Sequence, residues 1–127
     1  MADPVYLLDS NICIYVLEGG GSSLRDQIER CTPGEIVISS ISYAEVMRGI
    51  PALEADKIEK AERFFDFFGV QEFSRAAALC YRDIPFKRGS FDRLIAAHAL
   101  SLGLVVVTNN EDDFADVPGL KVENWTN

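Results

Sequence analysis

Val5-Tyr6-Leu7-Leu8-Asp9-Ser10-Asn11-Ile12 decides how the rest of the chain is read. Its apolar run is too short for a helix and suits a buried strand, while Asp-Ser-Asn directly before Ile12 is a helix-start signal. A strand that runs straight into a helix is the repeating unit of an α/β fold with a parallel sheet. In open sheets of that kind, ligands collect outside the carboxyl ends of the strands. Asp9 stands at such an end.

The same alternation continues outward from this stretch. A helix is expected over Asn11–Leu17, broken by Gly19-Gly20-Gly21, and a second over Ser22–Arg30. The β-branched run Glu35–Ser39 after Pro33-Gly34 predicts a strand, and a helix from Ile41 to Arg48 follows, stopping near Gly49 and Pro51. Leu53–Phe68 is the clearest amphipathic helix: Ile58, Ala61, Phe65 and Phe68 share a face, with Phe64 beside them. Phe64, Phe65, Phe67 and Phe68 cannot all meet one core, so at least one is expected in solvent, where the helix could form part of a partner groove. A strand over Val70–Phe73, a helix over Ser74–Arg82 and a loop over residues 83–90 come next. A helix over Phe91–Leu102 carries Phe91, Leu94, Ile95, His98 and Leu102 on one side and is capped by Gly103. Leu104–Val107 reads as a strand buried on both faces, followed by a turn at Glu111–Phe114 and a last strand at Leu120–Val122. The expectation is one α/β domain over residues 1–127, with a mostly parallel central sheet flanked by helices. Trp125 is expected to anchor the C-terminus.

Composition narrows the function classes. Apolar residues make up 48% of the 127, enough for one core and too many for a disordered chain. The opening Met-Ala-Asp-Pro has no positive n-region, and no apolar run approaches the roughly 18 residues of a membrane span. A soluble cytoplasmic protein is the expectation. Cys13, Cys31 and Cys80 form no CxxC pair and suit a reducing compartment as small buried residues. With a single histidine, His98, a zinc site is not expected. The formal net charge of −8 argues against bulk electrostatic attraction to nucleic acid, but not against a nuclease that meets phosphate through divalent cations and a local basic patch.

Glu45 and Asp92 resemble Asp9 in placement, each near the start of an apolar-periodic helix. Singly, each has a capping explanation: Asp9 as an N-cap, Glu45 in a Ser42-x-x-Glu45 capping box, Asp92 in a first helical turn. Together they point elsewhere. A cap needs only a hydroxyl or an amide, which gives no reason to gather acids, and clustered carboxylates repel unless cations neutralise them. Hard oxygen donors without thiolate or imidazole suit Mg²⁺ or Mn²⁺, ions that activate water and offset charge on a scissile phosphate. Asp113, after the fourth strand, is expected near Asp9. Arg82, Lys87, Arg88 and Arg93 lie beside this pocket, either as a solvated loop and helix end or as a phosphate-binding lip. His98, six residues past Asp92 on an apolar face, is expected to be a packed or interface histidine.

These segments resemble a known family. Tyr6-Leu7-Leu8-Asp9-Ser10-Asn11, the Ser-x-x-x-x-Ala44-Glu45 segment, Phe91-Asp92-Arg93-Leu94-Ile95-Ala96-Ala97-His98-Ala99-Leu100, and Val107-Thr108-Asn109-Asn110 followed by Asp113-Phe114 look like a PIN domain. The closing Val117-Pro118-Gly119-Leu120-Lys121-Val122-Glu123-Asn124-Trp125 is similar to the end of VapC toxins of type II toxin–antitoxin systems. The resemblance spans nearly the whole chain. It implies a Mg²⁺- or Mn²⁺-dependent endoribonuclease, held inactive by a VapB-type antitoxin whose arginine enters the acidic pocket, and pairing as a homodimer. By motif, Asp9, Glu45 and Asp92 match the family's core acids. Many relatives have Asp where this chain has Asn110, and Asp113 is assigned as an outer or second-metal ligand. Ser10, Asn11, Thr108 and Asn110 would orient water or hold the carboxylates. The usual polar residue before the third acid is here Phe91.

Three rivals carry less. A haloacid-dehalogenase-like phosphatase would want an Asp where Asn11 stands and a later Lys. A receiver-like domain would want paired acids after the first strand. A degenerate PIN domain that binds RNA or protein without cutting is the main alternative, on account of Asn110; metal titration separates it from the nuclease.

Overall fold

The computed structural model describes residues 2–127. Five strands form one parallel sheet: β1 (Tyr6–Leu8), β2 (Ile36–Ser39), β3 (Val70–Gln71), β4 (Val105–Val107) and β5 (Val122–Glu123), in the order β3-β2-β1-β4-β5. Winding runs outward from β1 in both directions, which puts a topological switch between β1 and β4. Leu8 pairs with Val107 there, so Asp9 and Thr108 leave the sheet side by side.

Side-chain alternation along the strands builds two cores, one per face. Leu7, Val37 and Val106 point to the face covered by α5 (Arg75–Tyr81) and α6 (Asp92–Leu102). Leu8, Ile36, Ile38 and Val107 point to the other, where Ile12 and Cys13 of α1 (Ser10–Leu17), Leu24 of α2 (Ser22–Arg30), Val46 of α3 (Ser40–Arg48), and Ala61 and Phe65 of α4 (Ala55–Phe68) pack over them. Trp125 closes this second core against Tyr6, edge to face at 4.8 Å, with its Nε1–H donating to Glu123. No helix of the described residues is long and apolar enough to cross a membrane.

Several expectations shift in detail. β3 stops at Gln71 because the Phe73 N–H turns away to Ser40 Oγ, at 3.0 Å. The last strand begins later than expected because Leu120 is still turned back onto Val117. Cys13 is buried, but Cys31 and Cys80 are only half-buried. The expected face of α6 also does not hold. Ile95, Ala96, Ala97, His98 and Ala99 are all buried, whereas Phe91 and Leu102 at the helix ends are exposed. A helix wedged between the sheet and its neighbours is buried nearly all round, so no single stripe marks its core side. Gly103 ends α6 in the left-handed conformation, at φ 68°.

Candidate active site

Asp9 is the N-cap of α1. Its Oδ1 accepts from the Ile12 N–H at 2.8 Å, closing the first turn of α1. It is 2% exposed. Burial pushes its carboxyl up to about 6, with the charges of Asp92 and Glu45 acting the same way, against hydrogen bonds from Thr108 and Ile12. Thr108 is fully buried and also accepts from the Asn110 N–H at 3.0 Å. The hydroxyl therefore ties the turn after β4 to the acid after β1.

Glu45 arrives from the other side. The capping-box expectation is corrected: α3 is capped by Ser39, whose Oγ accepts from the Ile41 N–H, and Ser42 lies inside the helix. Ser10 Oγ stands 2.5 Å from Glu45 Oε1 and 3.0 Å from Ser42 Oγ. One hydroxyl has one proton, so Ser10 donates to the carboxylate and accepts from Ser42. This buried serine pair aims Glu45 at the pocket. The sequence offered Ser42 only as a cap, because its partner is 32 residues away. Removing the donor with Ser10→Ala is expected to slow whatever reaction these acids serve by about 10- to 100-fold, the usual cost of losing a partner that orients a ligand. A turnover rate within twofold of the parent would refute the aiming role.

Asp92 occupies the first turn of α6. Burial raises its carboxyl, followed by the charges of Asp113 and Glu45 and a hydrogen bond shared with Asp113, while Lys87 pulls it down. Asp113 sits in a 3-10 turn, Glu111–Phe114, and accepts from Asn110 Nδ2 at 2.9 Å. Asn110 thus holds the fourth acid in place of being one. Asn11 is exposed on α1 beside the site.

The basic segment divides. Arg82, Lys87 and Arg88 are exposed. Arg93 is removed from the expected phosphate lip: its side chain is 5% exposed, and its guanidinium donates to Asp116 Oδ1 at 2.7 Å. The remaining Nε is buried without a partner. Arg93 pins the start of α6 to the segment that follows the Asp113 turn. Asp116 was not singled out in the sequence; nothing local distinguishes it from Asp112 or Glu111. Its carboxyl is lowered by the Arg93 hydrogen bond. His98 is 1% exposed, with Nδ1 2.8 Å from Ser39 Oγ and its ring on Phe73, and burial holds it neutral by lowering its pKa. It is a packed histidine.

The four carboxylates are all hard oxygen donors, and Asp9 and Asp92 are pushed up toward protonation, chiefly by burial and then by neighbouring carboxylates. Among the described residues no three such groups close into a ready-made metal cage. A groove of about 630 Å³ opens at Glu45, lined by Ile14, Leu17, Val46, Ile50 and Pro51 with Lys57 and Lys60 at its rim.

Residues 6–120 match the PIN domain family. Over 95% of its length the chain is 33% identical to the tRNA(fMet)-specific endonuclease VapC of Shigella flexneri, covering 98% of that protein. The chain belongs to the PIN domain family, among the VapC proteins. Ribonuclease VapC2 of Rickettsia felis is 31% identical, with 95% of this chain and 98% of that one aligned. Among solved structures, the DNA-bound VapBC complex of Salmonella typhimurium superposes with a TM-score of 0.86 at 29% identity, covering 96% of this chain and 98% of that one. VapBC2 of Rickettsia felis, bound to a promoter DNA fragment, gives 0.83 at 29%, covering 95% and 98%.

Proposed function

We propose that this VapC protein is the toxin of a type II toxin–antitoxin pair: a Mg²⁺- or Mn²⁺-dependent endoribonuclease that hydrolyses RNA phosphodiester bonds in the cytoplasm and is silenced by a VapB-type antitoxin. What carries the reading is the PIN family match over residues 6–120 together with the placement of the acids, Asp9 directly after β1 and Asp92 in the first turn of α6. Asp9, Glu45 and Asp92 would hold the ion, with Asp113 assisting from the outer side. The bound ion supplies activation of water and stabilisation of charge on the phosphate. The chain does the rest. Thr108 and the Ile12 N–H fix the Asp9 carboxylate, Ser10 fixes Glu45, and Asn110 fixes Asp113. Lys87, whose charge reaches Asp92, would hold the incoming backbone with Arg82 and Arg88. The apolar groove beside Glu45 would seat an antitoxin helix whose arginine enters the acids, and two copies would pair as a homodimer.

The direct test is cleavage of RNA by purified protein, with the tRNA named for the Shigella relative as the first substrate and total RNA beside it. Cutting is expected with Mg²⁺ or Mn²⁺ and none in EDTA. A protein that neither cuts RNA nor binds Mn²⁺ in a titration would instead be a degenerate, binding-only PIN domain.

Salt dependence separates the basic residues. Each phosphate contact to a single strand contributes about 0.7 to the slope of log affinity against log salt. Lys87→Ala and Arg88→Ala are each expected to flatten that slope by roughly this amount, whereas Arg93→Met changes the melting temperature and leaves the slope alone. Equal slopes for all three variants would contradict the division.

A further inference from the structure

The ion pair of Arg93 with Asp116 is unlike the other two among the described residues, Lys57–Glu54 and Arg63–Glu59, which lie in solvent along α4 and its start. Arg93 is buried and reaches Asp116 with Nη1 alone, while its Nε is buried with no partner. A buried guanidinium with an unfilled donor costs free energy, and an apolar side chain of similar length would fill the same space. Such a pair is better explained by the geometry it fixes than by the stability it adds.

That geometry joins two elements of the site. Arg93 directly follows Asp92 in the first turn of α6, and Asp116 lies three residues beyond Asp113, a spacing that puts side chains of a 3-10 turn on one side. Two rungs therefore cross from α6 to the turn. In one, Asp92 shares a hydrogen bond with Asp113. That rung needs a proton, and two ionised carboxylates so placed repel. In the other, Arg93 donates to Asp116 at 2.7 Å, and this rung attracts. The remaining polar bonds of the turn are local: Asn110 Nδ2 to Asp113 at 2.9 Å, the Asp113 N–H to the Asn110 carbonyl at 3.2 Å, and the Ala115 N–H to the Asp112 carbonyl at 3.4 Å. Phe114 and Val117 anchor the apolar side of the segment in the first core. Apolar burial is non-directional, so it fixes the depth of the turn and not the direction in which Asp113 faces.

We propose that Arg93 and Asp116 form a positioning latch: the pair holds the polar side of the turn against α6, so that Asp113 stays beside Asp92 against their mutual repulsion. Neither residue touches the reacting atoms, and both act through Asp113. Asn110 aims the Asp113 carboxylate within the turn, and the latch sets the turn on the helix. The proposal rests on the nuclease reading above, in which Asp113 is the outer acid of the ion site, and makes that acid depend on a pair outside the site.

Asp116→Asn is the first variant to test, because the Asp116 side chain is 55% exposed and its replacement empties no core space. Arg93→Met removes the charge at similar length, and Arg93→Lys returns a cation. Amide hydrogen exchange in EDTA reads the turn directly. Asp116→Asn is expected to lose protection at Asp113, Ala115 and Val117 while β1 and α5 keep theirs. Its Mn²⁺ affinity should fall by about 10- to 100-fold, as for loss of a group that orients a metal ligand. RNA cleavage should drop at low Mg²⁺ and recover at high Mg²⁺. Arg93→Met should match Asp116→Asn, and Arg93→Lys should restore part of the loss. In an Asp113→Asn background neither Asp116→Asn nor Arg93→Met should weaken Mn²⁺ binding further, since both act through that carboxylate. Unchanged exchange at the turn together with unchanged Mn²⁺ affinity would overturn the latch, whatever the melting temperature does. So would losses that add to that of Asp113→Asn. The nuclease reading fails separately: a parent protein that neither binds Mn²⁺ nor cuts RNA sinks that reading, and exchange at the turn then decides the latch alone.

Discussion

Asp9→Asn is expected to abolish RNA cleavage and at the same time to make the protein more stable. In the proposed reading Asp9 holds the metal; loss of even an outer partner of a metal ligand costs about 10- to 100-fold, so loss of the ligand itself should reduce the rate by at least the upper end of that range. The gain in stability comes from burial. The Asp9 carboxyl is raised from 3.8 to about 6 in the folded chain. Folding therefore favours its protonated form: the benefit is complete below pH 3.8 and disappears as the pH rises through 6. At neutral pH, keeping the carboxylate ionised costs about 3 kcal/mol. Asparagine carries no charge and still accepts from the Ile12 N–H as an N-cap. In EDTA at pH 7.5 the variant should melt at least about 5 °C above the parent. The difference should shrink to nothing near pH 4. A variant less stable than the parent at pH 7.5 would show that the buried charge is not what sets the Asp9 environment. Mg²⁺ is expected to narrow the gap by stabilising the parent.

Phe65→Ala should have the largest purely structural effect. Phe65 is 1% exposed, in edge-to-face contact with Tyr43 at 5.0 Å and Phe64 at 5.3 Å, and holds α4 over the second core. Emptying such a position costs about 3–5 kcal/mol, a large share of the roughly 5–15 kcal/mol that holds a domain together. Urea unfolding should show a lower midpoint with an unchanged slope. Antitoxin binding should weaken as well, because α4 supplies Lys57 and Lys60 to the groove at Glu45. By contrast Phe67→Ala, at a residue 77% exposed, should change stability little. A loss below about 1 kcal/mol at Phe65 would mean the core collapses around the gap.

The residues that could be placed from sequence are those whose environment is local. Asp9 follows an apolar strand and precedes a helix, and each signal lies within four residues of it. Gly103 could be assigned because a helix end needs a left-handed residue and glycine adopts it without strain. The exposure of one phenylalanine on α4 followed from the helix circumference alone. The errors share the opposite property. Glu45 looked like half of a capping box, yet its partner Ser10 is 35 residues away. Arg93 looked like a surface cation beside a pocket, and its burial depends on Asp116, 23 residues on. Phe91 and Leu102 fitted an apolar stripe, but α6 is covered on more than one side and its ends project past the cover.

The amino-acid sequence by itself determined the α/β alternation, the strand-end position of Asp9 and the acidic character of the site, because period, turn chemistry and charge are properties of short segments. The tertiary structure alone decided which polar groups serve which acid: Thr108 for Asp9, Ser10 and Ser42 for Glu45, Asn110 for Asp113, and Asp116 for the buried Arg93. It also placed Asp9 and Thr108 side by side, since strand order is set by how the two cores pack on the sheet, and no local segment carries that information.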